Sequence, residues 1–222
     1  MSDAAPLAGR RLVVSAGPTY EDIDPVRYIG NRSSGKMGFA IAEAAARAGA
    51  DVALVAGPVN LPTPAGVHRE DVRSAAQLRD AVLAALPADA YIGAAAVADW
   101  TPRDVAPRKL KKRDGQDTLD IALVRTPDVL AEVASHATLR PRLVVGFAAE
   151  TEQLEANARA KLERKRVDLV AANLVGAAGT GFEFDDNALA VFARDGIVLR
   201  LGPAPKRELA DALVQLIAER LA

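Results

Sequence analysis

Short apolar, β-branched runs alternate along this chain with alanine-rich or amphipathic stretches, and no other feature of the sequence restricts the fold as much. Residues 11–15 (RLVVS), 51–56 (DVALVA), 90–98 (AYIGAAAVA), 143–148 (LVVGFA) and 167–172 (VDLVAA) read as strands. Helical stretches lie between them at 39–48, from 74 to about 86, from 126 onward and at 154–166. This order predicts an α/β fold: a doubly wound, Rossmann-like, mostly parallel sheet with helices on both faces. Half of the 222 residues are hydrophobic, enough for one full core.

Local signals mark where elements end. Gly49 is a left-handed helix stop, and Ser74 with Gln77 forms a capping box. Thr126-Pro127-Asp128 offers a capping hydroxyl, a first-turn proline and an early carboxylate. A weak strand is expected at 67–72, and 118–125 alternates like an antiparallel strand at an edge or in a small appended sheet. After Asn173 a glycine-rich loop reaches Asp185-Asp186-Asn187. Residues 188–192 and 197–201 then form a hairpin closed by Arg194-Asp195-Gly196, and an amphipathic helix fills 206–221. The polar stretch 99–116, with RKLKKR at 108–113, reads as a mobile basic loop. With no repeat or low-complexity linker, residues 1–222 are expected to form a single domain.

Charge and composition remove several classes of function. With 28 Lys and Arg against 29 Asp and Glu, there is no global pull toward nucleic acid or an anionic membrane, so anion binding must be local. The chain has no cysteine, which excludes a thiol nucleophile, disulfides and thiolate metal sites. Its only imidazoles, His68 and His136, sit in no ligand-like spacing. No apolar run reaches membrane-spanning length and no signal pattern opens the chain, so a cytoplasmic protein is expected.

The stretch 17–38, GPTYEDIDPVRYIGNRSSGKMG, joins a strand to a helix. In an open α/β sheet such a loop faces the ligand crevice, and the helix start offers N–H groups to an anion. Ser33, Ser34, Gly35 and Gly38 let the backbone approach a phosphate closely. Gly30 to Lys36 spells most of a P-loop, but Met37 stands where the motif needs Ser or Thr, so the match reads as accidental. No G-x-G-x-x-G occurs, and strand 51–56 runs into Gly57-Pro58 without an acidic residue for a ribose, which disfavours ordinary dinucleotide binding.

The basic run and the Lys161/Lys165 pair, on one helix face, could hold a polyphosphate. Solvated surfaces or a nucleic-acid patch are the competing readings, although missing aromatic interleaving argues against single-strand binding. Asp99 and Glu150 end strands, where a carboxylate holds Mg²⁺ or a nucleotide hydroxyl. Asn31 supplies a neutral donor and Arg27 a bidentate fork. These residues point to a nucleotide-using, anion-binding α/β enzyme without naming its substrate. A nicotinamide oxidoreductase and a noncatalytic nucleotide- or RNA-binding module stay open.

The stretches 17–27, 31–38 (NRSSGKMG), 95–99 (AAVAD), 109–112 (KLKK) and 146–151 (GFAAET) closely resemble bacterial phosphopantothenoylcysteine synthetase, in order and across essentially the whole chain. The resemblance implies CTP-dependent ligation of 4'-phosphopantothenate to L-cysteine through an acyl-cytidylate, with Mg²⁺ accompanying the triphosphate. By motif position, Lys109 looks like the lysine that assists cytidylylation, and Asn31 like the asparagine that serves conversion of the intermediate. Asp99, the turn Pro127, Asp128, Val129 and Leu130, then Phe147, Lys161 and Lys165 resemble the CTP site, where Asp99 would also meet the metal. Ser33, Ser34 and Gly35 join that nucleotide site as a phosphate cradle, while Arg27, Asn31, Ala95 and Ala96 resemble the phosphopantothenate site. The family pairs two subunits, with the lysine loop closing over the neighbouring site. In most bacteria the synthetase is fused to a flavin-dependent decarboxylase, so this chain reads as an excised domain or a stand-alone homologue. Gly30, where Ser or Thr is expected, and Trp100, where Tyr or Phe is usual, depart from the pattern without removing a charge.

Overall fold

The first β-branched run becomes the hub of the sheet. The computed structural model describes residues 5–112, 114–115, 117–150, 152–174, 186–194 and 196–222. In it β1 (Arg11–Ala16) leads to a small antiparallel hairpin, β2 (Tyr20–Asp22) and β3 (Tyr28–Gly30), before α1 (Lys36–Arg47), β4 (Asp51–Ala56) and β5 (Val67–Asp71). Next come α2 (Ala75–Ala84) and β6 (Ala90–Gly93), then β7 (Trp100–Pro102) and β8 (Leu123–Arg125), which pair antiparallel as a second small sheet. The chain continues through α3 (Val129–Ala134), β9 (Leu143–Glu150), α4 (Leu154–Lys165), β10 (Leu169–Leu174), β11 (Asp186–Ala193), β12 (Gly196–Pro205) and α5 (Lys206–Leu221).

The main sheet has 8 strands in the order β12-β11-β10-β9-β6-β1-β4-β5. Pairing is parallel from β5 to β10 and antiparallel only where β11 and β12 extend the edge. Strands after β1 go first to one side and then, from β6 on, to the other. The order therefore reverses between β1 and β6, the place where open α/β sheets hold ligands beyond the strands' carboxyl ends.

Alternation along β1 sets the two faces. Leu12, Val14 and Ala16 pack with Phe39 and Ile41 of α1 and Leu213 and Ile217 of α5. Val13 turns the other way, among Leu78 of α2, Val133 of α3 and Leu162 of α4. Each such fully buried aliphatic side chain contributes about 1.5–3 kcal/mol. The doubly wound expectation is met, and so is the capping box: the Ser74 hydroxyl accepts from Gln77 N–H while Gln77 Oε1 accepts from Ser74 N–H.

Several expected boundaries change. The strand expected over 90–98 stops at Gly93, because the chain then leaves the sheet to bond the loop after β1: Ala96 N–H donates to Gly17 O at 2.8 Å and Thr19 N–H to Ala96 O at 3.3 Å. Asp128, not Thr126, caps α3, accepting from Ala131 N–H at 3.1 Å. The Thr126 hydroxyl donates instead to Ala98 O at 2.6 Å and ties the start of that helix to the post-β6 loop. The expected strand 118–125 shortens to Leu123–Arg125, and stretch 17–38 holds a hairpin where a continuous loop was expected. The loop expected to be mobile, 99–116, contains β7, and Ala106 N–H donates to Ile23 O at 3.0 Å. Most of the glycine-rich loop after Asn173, and Asp195 in the last hairpin turn, lie outside the described residues.

Candidate functional site

At the reversal point the carboxyl ends of β1, β6, β9 and β10 open onto a cavity of about 870 Å³. Parallel strands deliver their following loops to one edge, so residues far apart in sequence meet there. Asn31, Ser33, Ser34 and Gly35 come from the loop before α1, and Ala95, Ala96 and Asp99 from the loop after β6. Pro127, Asp128, Val129 and Leu130 come from the start of α3, Phe147 from β9, and Lys161 and Lys165 from α4. Arg27, Lys109 and Glu150, expected at the site from the sequence, do not line it; Glu150 instead accepts from Asn157 Nδ2 at 2.8 Å, at the start of α4.

The cradle before α1 is shaped by two glycines. Gly35 sits at φ 74° as the N-cap and leaves the helix start without a side-chain cap, so backbone N–H groups face the cavity. At Gly38 a Cβ would stand 2.5 Å from the Ala16 side chain, which is why α1 can begin directly over the end of β1. Ser33 Oγ accepts from Gly35 N–H at 3.3 Å. Lys36 continues the lining.

Asn31 fixes the opposite wall. Its Nδ2 donates to both Ala96 O and Val97 O at 3.1 Å. The amide nitrogen expected to meet substrate is thus committed to holding the 95–97 backbone against the loop from β1.

α4 brings the positive charge. Lys161 Nζ donates to Phe147 O, and burial, reinforced by the neighbouring Lys165, lowers its pKa below the ordinary lysine value. Lys165 pairs with Asp128, the cap of α3. The two ammonium groups thus stand one helical turn apart on a wall that also carries Arg164.

Among the described residues no cluster of three or more His, Asp or Glu could hold a metal ion. The cavity carboxylates are Asp99 and Asp128, and Asp128 is engaged as described. This donor set fits a divalent cation that arrives on substrate phosphates and takes one carboxylate from the protein.

Arg27 and the backbone of Leu110, the residue after Lys109, are linked to each other. The Asp24 side chain, fully buried, accepts from Arg27 Nε at 3.1 Å and from Leu110 N–H at 3.0 Å. Arg27 Nη2 donates to Leu110 O at 2.7 Å. The guanidinium expected on substrate is bound within the chain, and the lysine-bearing loop hangs from the β2–β3 hairpin.

Sequence reasoning missed Asn173, Asn187 and Lys206, which also line the cavity. Lys206 is 7% exposed and opens α5. A cation at the positive end of a helix is disfavoured, and that much the sequence offered; the burial of Lys206 emerges only from the fold. Tyr91, also in the lining, bonds Ser15, and burial pushes its phenol up to about 12. His136 caps a turn, its Nδ1 accepting from Leu139 N–H at 3.1 Å, and lies outside the cavity. Among the described residues no helix is long and apolar enough to cross a membrane.

Comparison with known proteins follows the same outline. Residues 7–221 match the family described as DNA/pantothenate metabolism flavoprotein, C-terminal domain. The coenzyme A biosynthesis bifunctional protein CoaBC of Vibrio cholerae is 50% identical over 216 residues, 97% of this chain and 54% of that protein. That of Bacillus subtilis is 46% identical over 217 residues, 97% of this chain and 52% of that protein. The chain thus spans about half the length of the curated relatives it matches. A crystal structure of the C-terminal domain of a CoaBC protein superposes with a TM-score of 0.82 at 37% identity, covering 98% of both chains. A Cab2 mutant solved with phosphopantothenate-cysteine shares the fold, at TM-score 0.75 and 17% identity over 96% of this chain and 87% of that one.

Proposed function

The chain belongs to the DNA/pantothenate metabolism flavoprotein C-terminal domain family, and from that premise we propose that its cavity ligates 4'-phosphopantothenate to L-cysteine in coenzyme A biosynthesis, with CTP as activating co-substrate. The observation that carries this reading is convergence: the Ser33–Gly35 cradle, the 95–99 loop, the start of α3 and the two α4 lysines line one cavity. Two anionic substrates need such a divided polar site.

A free carboxylate resists attack by an amine, so it must first gain a leaving group. A carboxylate oxygen of phosphopantothenate forms a bond to the α-phosphorus of CTP, the bridging P–O bond breaks, and pyrophosphate leaves with the electron pair. The cysteine amine then attacks the acyl carbon, loses a proton, and CMP departs as the amide forms. Lys161 and Lys165 hold the triphosphate, and the α1 start with Ser33 and Ser34 supplies further donors. Asp99 would hold a magnesium ion brought in on the triphosphate, and such an ion would supply screening of the phosphate charge. Lys109 meets the charge that grows on phosphorus. Asn31 keeps Ala95 and Ala96 in place beneath the acyl group.

Pyrophosphate release tests this directly. CTP with 4'-phosphopantothenate should release pyrophosphate, release should become sustained when cysteine is added, and ATP should support less. No pyrophosphate with either nucleotide would overturn the reading. Heat on titration with a nicotinamide dinucleotide would favour the oxidoreductase, and salt-sensitive RNA retention the binding module.

A second copy of the chain completes the proposal. Lys109 does not line its own cavity, and the two small sheets pack on each other with Val26, Tyr28, Trp100, Leu123 and Val124 between 40% and 58% exposed. A homodimer covering this apolar surface would carry Lys109 toward the partner's site. Mixing Lys109→Gln with Asn31→Asp protein should then restore part of the activity, and failure to do so in verified heterodimers argues against a shared site. The bifunctional relatives suggest that a flavin-dependent decarboxylase half normally acts on the product.

A further inference from the structure

We propose that Asp24 is the positioning residue for Lys109, gripping the peptide bond that joins Lys109 to Leu110. This rests on Lys109 acting in the reaction proposed above.

A fully buried carboxylate is costly unless donors surround it, and Asp24 has a complete set. Val26 N–H and Arg27 N–H donate to Oδ1 at 2.8 and 2.9 Å, which closes the local turn of the hairpin. The other oxygen takes Arg27 Nε and, from 86 residues further on, Leu110 N–H at 3.0 Å. Closing the hairpin needs only the local bonds. The Leu110 bond is additional, and it is directed at one place in the basic loop.

Both polar groups of Leu110 are held, the N–H by Asp24 and the C=O by Arg27 Nη2 at 2.7 Å. The peptide planes before and after that residue are therefore fixed, and the preceding plane begins at the Lys109 Cα, from which the side chain springs. Ala106, bonded to Ile23 O at 3.0 Å, anchors the loop upstream on the same hairpin. A lysine side chain has a flexible stem, so where its ammonium reaches is set by where its backbone is held. The hairpin that holds it also carries the exposed Val26 and Tyr28 of the surface proposed above to meet the second copy. Arg27 thereby acts through the clamp and belongs with Asp24 as a positioning residue.

The Arg27 guanidinium and the Leu110 N–H keep the Asp24 carboxyl well below the usual carboxylate range, so the clamp stays closed at neutral pH. Asp24→Asn keeps the shape and removes the charge. Pyrophosphate release at saturating substrates should fall about 10- to 100-fold, the scale of an ångström-level misplacement, with little change in KM for CTP. Exchange of the Leu110 amide hydrogen should quicken.

The deciding experiment is a double-mutant cycle. If Asp24 works through Lys109, adding Asp24→Asn to Lys109→Gln causes no further loss. A purely structural Asp24 would slow the Lys109→Gln enzyme by the same factor as the wild type, and that result overturns the proposal. So does wild-type release by Asp24→Asn. Should Asp24→Asn fail to fold, Leu110→Pro deletes the gripped N–H from a loop outside the main sheet, and the same fall is expected. Full activity of Lys109→Gln would instead overturn the role given to Lys109. A Lys109→Gln defect beside a normal Asp24→Asn enzyme would overturn this inference alone.

Discussion

Replacing Lys161 with Met separates what the cavity wall does for binding from what it does for folding. Met keeps the length and apolar stem but removes the ammonium that donates to Phe147 O. In the free protein that ammonium is already desolvated and lies beside Lys165, and both factors lower its pKa. Burial is thus a cost met before the nucleotide arrives, and the full charge-assisted bond to phosphate, about 1.5–3 kcal/mol, appears in binding. At 1.4 kcal/mol per factor of ten this is about 10- to 150-fold weaker CTP binding. Stability changes by a separate route. The orphaned Phe147 carbonyl costs about 1–3 kcal/mol, partly offset by relief of repulsion from Lys165. A domain of this size shifts about 2–4 °C per kcal/mol, so Tm should fall by less than about 12 °C. Isothermal titration with CTP and a thermal melt of the same preparation read both quantities. A lowered Tm with unchanged CTP affinity would refute the reasoning, because Lys161 would then serve the fold alone.

Ser74→Ala removes the hydroxyl that accepts from Gln77 N–H at 3.2 Å; it should cost about 1 kcal/mol, visible in chemical denaturation, and leave pyrophosphate release unchanged. Asn31→Asp would turn a carboxylate toward Ala96 O and Val97 O. The acyl-cytidylate should still form but accumulate, seen by rapid quench, with a Tm loss from the broken bonds. For Asp24 the depressed carboxyl pKa means that its stabilisation is fully present above the unfolded value of about 4 and is lost as pH falls through the folded value. The Tm gap between wild type and Asp24→Asn should accordingly be constant in the neutral range and narrow only in acid.

The sheet was legible in the sequence because its signals are local and repeated. β1 and β4 are β-branched runs of 6 residues each, and Ser74 with Gln77 marks the start of α2 unaided. The cavity wall was legible for a topological reason: parallel strands put the loops that follow them at one edge, so the Ser33–Gly35 stretch after β1 and Asp99 in the loop after β6 had to approach one another. What stayed hidden depends on contacts between distant segments. β2 and β3 have 3 residues each, too few for a periodic pattern, and are braced by the Tyr20–Tyr28 ring stack with centroids 3.9 Å apart. β6 ends inside an unbroken small apolar run because Ala96 finds partners after β1, which no residue within the run announces. Arg27 carried a charge suited to an anion, but its partner Asp24 stands only 3 residues away, and composition could not tell that the pair would close on Leu110.

Activation of the carboxylate by the α-phosphorus is the central claim, and oxygen transfer tests it most directly. With both carboxylate oxygens of 4'-phosphopantothenate labelled as ¹⁸O, turnover with CTP and cysteine should place one labelled oxygen in the phosphate of CMP and none in pyrophosphate. Unlabelled CMP, or label appearing in inorganic phosphate alongside CDP, would contradict it.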